Sequence, residues 1–404
     1  MIFMRVLLVN KFWYHRGGAE QVVFVTKQLL EGAGHTVAIF GMHDSRNEIT
    51  EPYLADFVDT AKPSWRDVWR ILYNREAKNK FSELIKKFKP DIIHFHNIYH
   101  QLSFSLIDAG RELGIPMVMT LHDYHWLSPN YKLFHHGQID QKLIGKKFFR
   151  PLFTNCLEDW QKTVVGMIDF IFRSQKKYRN AIDQFICPSE FIKQLHVRAG
   201  WNESQLAVVG NPINQFNQLP DTDNFVDGLY VAYVGRLAKE KGIETFIFAA
   251  KITPEIPYKI FGTGPDESRL RALVENNGVA NVSFAGFKIG VELKQAINNA
   301  RIVVVPSVWY ENAPYSILEP MALGKIVIGS NIGGIPELLP KEFLVEPGNP
   351  EALAIVIKMW FNKSLEERNR WGNVLRTEAL ARHDSHLYLK KIEDLYEKLL
   401  INAG

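Results

Sequence analysis

Two glutamates, Glu311 and Glu319, stand eight positions apart around the segment Asn312-Ala313-Pro314-Tyr315. A helix that starts near Tyr315 puts Glu311 in the loop before it and Glu319 one turn inside it. Two carboxylates placed this way can clamp hydroxyl pairs on different parts of one ligand. The helix N–H groups near Tyr315, Ser316 and Ile317 can hold an anion between them. The bland alternative is a helix-start acid followed by a solvent-facing Glu. Upstream, Val234-Gly235-Arg236-Leu237 is followed by Lys241-Gly242. A basic pair five residues apart after a strand suits a diphosphate, because Arg offers a fork of donors and Lys a point charge. There is no Gly-Lys-Ser/Thr ending, so this is not a P-loop.

Three further signals are weaker by themselves. Gly17-Gly18-Ala19-Glu20 follows a first apolar run, and Gly262-Thr263-Gly264-Pro265 follows a later one. Glycines there let backbone turn and approach a ligand, and a plain turn is the competing reading. His122 closes the run Met117–Leu121. Such a histidine can donate to a sugar hydroxyl or steady charge near a reacting carbon, or simply satisfy a neighbouring carbonyl. His94, His96 and His100 look like a metal cluster, but they bring no carboxylate set, and a metal site is not expected.

These residues need strand ends to hold them. Short apolar runs at Val6–Val9, Val37–Phe40, Asp91–Phe95 and Met117–Leu121 alternate with helical patterns, one near Ala19 and one around Phe104–Leu113. The pattern pauses at Asn211-Pro212 and the polar stretch 215–228, which reads as a linker. It restarts at Tyr230–Val234, Tyr258–Phe261, Val282–Phe284, Ile302–Val305, Ile326–Ile328 and Phe343–Val345. This alternation predicts two α/β domains, each a doubly wound parallel sheet. In such sheets ligands bind beyond the carboxyl ends of the strands. A final helix at about His386–Leu400 spaces Leu387, Ile392, Leu395 and Leu399 for packing.

Composition narrows the class. At 404 residues with 46% hydrophobic and 23% charged, the chain is neither disordered nor fibrous, and its length suits two or three domains. Two cysteines, Cys156 and Cys187, cannot make a disulfide framework. No apolar run approaches the roughly 18–20 residues of a membrane span, and the first ten residues read as a strand rather than a signal peptide. The expected compartment is the cytosol. Charge is uneven: residues 1–200 carry 27 Lys+Arg against 20 Asp+Glu, and residues 201–404 carry 21 against 24. Residues 61–89 and 142–179 each hold nine basic and three acidic side chains. They interleave Trp65, Trp69, Phe81, Phe88, Phe148, Phe149, Phe153 and Trp160 with Lys and Arg. Basic and aromatic residues mixed in this way suit reversible attachment to an anionic membrane face. The bland alternative is a domain that buries its aromatics on the sheet and exposes its lysines to water.

Taken in order, the motifs resemble those of retaining glycosyltransferases of family 4 (glycosyl transferases group 1), which have the GT-B fold. The matching elements are Gly17-Gly18-Ala19-Glu20, Gly34-His35-Thr36-Val37, Leu121-His122-Asp123, Pro188-Ser189-Glu190, Gly210-Asn211-Pro212-Ile213, and Tyr233-Val234-Gly235-Arg236 with Lys241-Gly242. Gly262-Thr263-Gly264-Pro265, the Glu311/Glu319 pair and Gly333-Gly334-Ile335-Pro336-Glu337 complete the set. The resemblance implies two Rossmann-like domains facing across a cleft. Residues 1–210 would bind the acceptor, with a C-terminal helix, 384–404, crossing back to them; residues 211–383 would bind a nucleotide sugar. Arg236 and Lys241 would hold the donor diphosphate, with Gly17 and Gly18 closing over it. Glu319 would bind the ribose, with the base near Gly262, Gly264 and Phe287. Glu311 and His122 would face the sugar as catalytic groups. The donor would be a UDP- or GDP-sugar and the acceptor a glycan or lipid-linked glycan of the cell envelope. The reaction would keep the anomeric configuration and need no metal or other cofactor. One departure is chemical: many members have glycines after the first Glu, whereas Pro314 here has no N–H to give.

Rival readings lack their signatures. A dinucleotide-dependent oxidoreductase needs G-x-G-x-x-G after a strand. No RRM, KH or helix-turn-helix pattern accompanies the basic segments, so nucleic acid is not an expected partner. A non-catalytic GT-B protein that binds a nucleotide sugar or a partner is the remaining alternative. The presence of His122, Arg236, Lys241, Glu311 and Glu319 weighs against it.

Overall fold

The computed structural model describes residues 2–49, 53–58, 65–144, 150–173, 176–213 and 228–403. The expected linker, apart from Gly228, lies outside the described residues, as do Phe148 and Phe149. The chain divides into two compact units. One comprises Met1–His135, Asp140–Pro212 and Ser385–Gly404; the other comprises Ile213–Asp384, with His136–Ile139 counted in it.

The first strands are β1 (Arg5–Val9), β2 (Thr36–Phe40), β3 (Ile92–Phe95) and β4 (Met117–Thr120). A short ribbon, β5 (Phe134–His135) and β6 (Gln138–Ile139), follows, then β7 (Gln184–Cys187) and β8 (Leu206–Val208). The first unit's sheet runs β2-β1-β3-β4-β7-β8, all parallel. Val6–Val9 and Ile92–Phe95 are buried on both faces, which is why they read as unbroken apolar runs. Strand order reverses between β1 and β3, a switch point that opens a crevice at the carboxyl ends. Strands β7 and β8 extend the sheet beyond the runs expected from sequence.

The last helix, Ser385–Ala403, packs in this unit's core. Its deepest residues are Tyr388, Ile392 and Tyr396, four apart on one face, while Leu395 and Leu399 are only partly buried. Polar anchors fix its register. Tyr388 shares a 2.7 Å hydrogen bond with the Thr26 hydroxyl, and Glu393 lies 2.9 Å from His35 Nε2. His35 Nδ1 in turn accepts from the Met4 N–H at 3.1 Å. The Gly-His-Thr segment therefore serves the packing of this helix.

The second unit contains β9 (Tyr230–Val234), β10 (Tyr258–Phe261), β11 (Val282–Gly286), β12 (Ala300–Val305), β13 (Ile326–Ser330) and β14 (Leu344–Val345). Their order is β11-β10-β9-β12-β13-β14, again parallel throughout. The switch point lies between β9 and β12. Two six-stranded parallel sheets with flanking helices are the doubly wound pair that the sequence predicts. Among the described residues no helix is long and apolar enough to cross a membrane.

Candidate functional site

At the second unit's switch point, β9 runs into Gly235-Arg236 and β12 into Pro306-Ser307. Gly242, at φ 67°, starts the helix Ile243–Ile252. A Cβ there would lie 1.9 Å from the Pro306 carbonyl oxygen. Glycine is therefore required twice, by the left-handed backbone and by the closeness of the β12 loop. The Val308 N–H donates to the Glu240 carbonyl at 3.0 Å and ties the two loops together.

This approach sets Lys241 against Glu311. Lys241 Nζ donates to Glu311 Oε1 at 2.7 Å, and the Ser307 hydroxyl donates to the same oxygen at 2.7 Å. The ammonium also lies 5.0 Å from the centroid of the Trp309 ring. Glu311 is buried. Burial alone would push its carboxyl up, but the charge of Lys241 and the hydrogen bonds from Lys241 and Ser307 outweigh it. The group sits below the usual carboxylate range and is an anion in the folded protein. Arg236 is half exposed, and its Nη2 donates at 2.5 Å to Glu240, whose carboxylate is buried.

The helix Tyr315–Ala322 begins where the Glu311/Glu319 spacing predicts, with Glu319 buried one turn inside. Pro314 is its N-cap, so the missing N–H falls outside the helix. The Pro314 carbonyl accepts from Ile317 at 3.0 Å and Leu318 at 3.2 Å. The Gly334 N–H donates to the Glu311 carbonyl at 2.7 Å, so the Gly-Gly-Ile-Pro-Glu turn braces the Glu311 backbone. At Gly262 and Gly264 the missing Cβ makes room for the backbone of another loop. A Cβ on Gly262 would lie 1.9 Å from the Gly235 carbonyl oxygen, and one on Gly264 2.2 Å from that of Leu237. Phe287, just after β11, is exposed.

In the first unit, His122 follows β4 and is partly exposed. Its Nε2 lies 2.9 Å from Nδ1 of His96, which stands at the end of β3 beside the switch point. His96 also stacks on His94 at 4.3 Å between ring centroids. His94 Nδ1 meets the Tyr396 hydroxyl at 2.6 Å, and its Nε2 meets Thr120 Oγ1 at 2.8 Å. Burial depresses His122 to about 4 and His94 to about 3, and His96 falls well below its ordinary value from burial and its two neighbours. The array is neutral at pH 7. Among the described residues no three His, Cys, Asp or Glu side chains are grouped to hold a metal ion.

Sequence reasoning passed over several groups around His122. Asp123 lies 2.8 Å from His125 Nδ1, and His125 Nε2 lies 3.2 Å from His100. Burial would raise the Asp123 carboxyl, but His125 and Lys11 hold it low. Burial lowers Lys11 against the pull of Asp123 and Glu20, and burial raises Glu20 despite Lys11. Lys11 comes just after β1, so the carboxyl-end rule alone could have found it. Glu240 could have been found by its i, i+4 spacing from Arg236. Gly17 and Gly18 are exposed at the start of the helix Gly18–Gly32. Gly17 is extended, at φ −170°, so no tight turn demands it.

Comparison with known proteins gives the family and the fold. The pattern of the family described as Glycosyltransferase Family 4 matches residues 16–215, and that of Glycosyl transferases group 1 matches residues 215–377. An uncharacterized glycosyltransferase of Methanocaldococcus jannaschii is 34% identical over 333 residues, covering 76% of this chain and 78% of that protein. The O-antigen chain mannosyltransferase C of Escherichia coli is 24% identical over 423 residues, covering 98% of this chain and 99% of that one. Among solved structures, the Anabaena protein HepE, crystallised with UDP, superposes with a TM-score of 0.65 at 17% identity, over 98% of this chain and 100% of that one. That likeness shows the GT-B fold. By family and by fold, then, the chain belongs to the group 1 glycosyltransferases.

Proposed function

We propose that the protein transfers a hexose-type sugar from a nucleoside-diphosphate donor, UDP- or GDP-linked, to a glycan or lipid-linked acceptor, with retention of anomeric configuration. The observation that carries this reading is the Lys241–Glu311 pair at the switch point of the second sheet. A dianionic diphosphate can draw Lys241 to itself and leave Glu311 facing the sugar, while Arg236 adds a second cation. Glu319 would take the ribose hydroxyls and His122 the sugar. These cations and the start of the Tyr315–Ala322 helix would offset the leaving charge without a metal. The UDP bound by HepE supports the donor class, and the O-antigen activity of the E. coli relative supports the acceptor class. Proton NMR of the product tests it directly. An anomeric centre matching that of the donor is expected; an inverted centre rejects the reading.

The same reading includes a peripheral place on an anionic membrane. Its support is the helix Trp160–Arg173, which turns apolar side chains outward. Trp160, Val164, Ile168 and Ile171 are 58%, 45%, 41% and 50% exposed, spaced four, four and three apart along one face. Phe153 and Trp69 are also exposed, and the segment 142–179 carries net charge +6 (9 − 3). By contrast Phe81 is sealed in the core, where the bland alternative holds. An apolar face with basic flanks is how a helix lies at the headgroup level. Flotation with vesicles containing anionic lipid should carry the protein at low salt and lose it when Trp160 and Ile168 become Ser. Equal recovery with neutral vesicles contradicts this part.

A further inference from the structure

His96 is fully buried, and among the described residues only its Nδ1 has a hydrogen-bond partner. That partner is Nε2 of His122, 2.9 Å away; Nε2 of His96 is sealed off with nothing to bond. A hydrogen bond between two neutral imidazoles places one proton between the two nitrogens, so there are two assignments. In the first, His122 donates from Nε2. His96 then carries its proton on its own Nε2, as a buried N–H without an acceptor. In the second, His96 donates from Nδ1 and its Nε2 is a bare lone pair. His122 must then carry its proton on Nδ1.

The two defects are not equal. Buried N–H groups without an acceptor are rarer in proteins than acceptors left short of a donor. An imidazolium would satisfy the pair no better, because it would put a charge into a stack in which His94 and His96 are fully buried beside His122. His94 is free of this constraint. Both its nitrogens face hydroxyls, Tyr396 and Thr120, and a hydroxyl can donate or accept as needed. Of the two strand histidines, His94 and His96, the constraint falls on His96.

We infer that His96 is a positioning residue that fixes the tautomer of His122, so that His122 carries its proton on Nδ1 rather than on Nε2. This rests on the reading of His122 as a contact to the transferred sugar, and deepens it. The recognised atom is then a hydroxyl oxygen, or an oxygen gaining negative charge, and not a hydroxyl proton.

The test reads the proton itself. Long-range proton–nitrogen correlation on protein labelled with 15N-histidine shows which nitrogen of each ring is protonated, and His122→Gln assigns the signal. At neutral pH His122 is expected to be neutral with its proton on Nδ1. A proton on Nε2, or an imidazolium, overturns the inference. His96→Leu should release His122 to a mixture containing the Nε2–H form and lower kcat by roughly tenfold to a hundredfold, with donor KM nearly unchanged. His96→Asn, whose amide can donate from the place of Nδ1, should restore most of the rate. A folded His96→Leu protein with unaltered tautomer and rate also overturns it. If His96→Leu does not fold, the wild-type spectrum and the His96→Asn kinetics decide. The spectrum needs no substrate, so it stands apart from the sugar-contact reading, which full activity in His122→Ala would remove.

Discussion

Both sheets reverse strand order next to their first strand, yet the two switch points hold opposite chemistry. In the second unit the strand ends carry full charges, Lys241 on Glu311 and Arg236 on Glu240, with both carboxylates buried. In the first unit they carry imidazoles that burial keeps neutral, with Lys11, Glu20 and Asp123 nearby. Buried ion pairs contribute little net stability, and breaking one leaves a costly lone charge. A buried pair whose cation stays partly reachable makes better sense as a site where an anion replaces one partner. Neutral rings with fixed protons suit uncharged hydroxyls instead. On the proposed reading, the second unit's switch point suits an anionic group and the first unit's suits uncharged hydroxyls.

The largest expected effect breaks the charged side. Lys241→Ala and Arg236→Ala should each lower kcat/KM by about 10²-fold or more, the usual cost of a lost charge contact to a transition state. Near-normal steady-state kinetics in both variants would place the diphosphate elsewhere. Next, Glu319→Ala should weaken nucleoside-diphosphate binding by roughly tenfold or more in a fluorescence titration. Glu311→Ala should leave that affinity within a few-fold and damage transfer. Equal affinity in wild type and Glu319→Ala removes the ribose assignment.

Acid should separate the two units. Burial holds His94, His122 and His196, all in the first unit, at about 3, 4 and 4. An unfolded imidazole titrates near 6.5. Between about pH 6.5 and 4 the unfolded chain therefore binds protons that the folded chain refuses, and stability falls as the pH falls. Each ring contributes a slope of up to about 1.4 kcal/mol per pH unit. Thermal melts should drop steadily from pH 7 to 4.5. A flat Tm across that window would contradict the buried neutral array. The smallest expected effect is none at all: EDTA should leave transfer unchanged. Activity lost to EDTA and restored by Mn²⁺ would overturn the metal-free reading.

Much of the second unit was legible in the sequence, because its signals are local. Tyr230–Val234 and Tyr258–Phe261 are apolar runs with the limits of β9 and β10. Arg236, Lys241 and Glu311 stand within a few residues of strand ends, so their placement beside the second switch point was legible from position alone. The first unit hid more. β8 is three residues long, Leu206-Ala207-Val208, too short to show a period. His96 and His122 are 26 positions apart on different strands, and only the register of β3 on β4 joins them. The backbone contact at Gly262 and Gly264 was not legible, since sequence cannot say what a missing Cβ makes room for. The outward apolar face of Trp160–Arg173 was also unreadable, because its polar residues do not mark the exposed side: Thr163 and Asp169 are buried while Trp160 and Ile168 are exposed.

Calorimetric titration of UDP and GDP into wild type, Lys241→Ala and His122→Ala tests the division between the two switch points most directly. The account predicts saturable binding of one nucleotide per chain by wild type, affinity lowered at least tenfold in Lys241→Ala, and affinity within about twofold of wild type in His122→Ala. Undiminished affinity in Lys241→Ala, or its loss in His122→Ala alone, would contradict it.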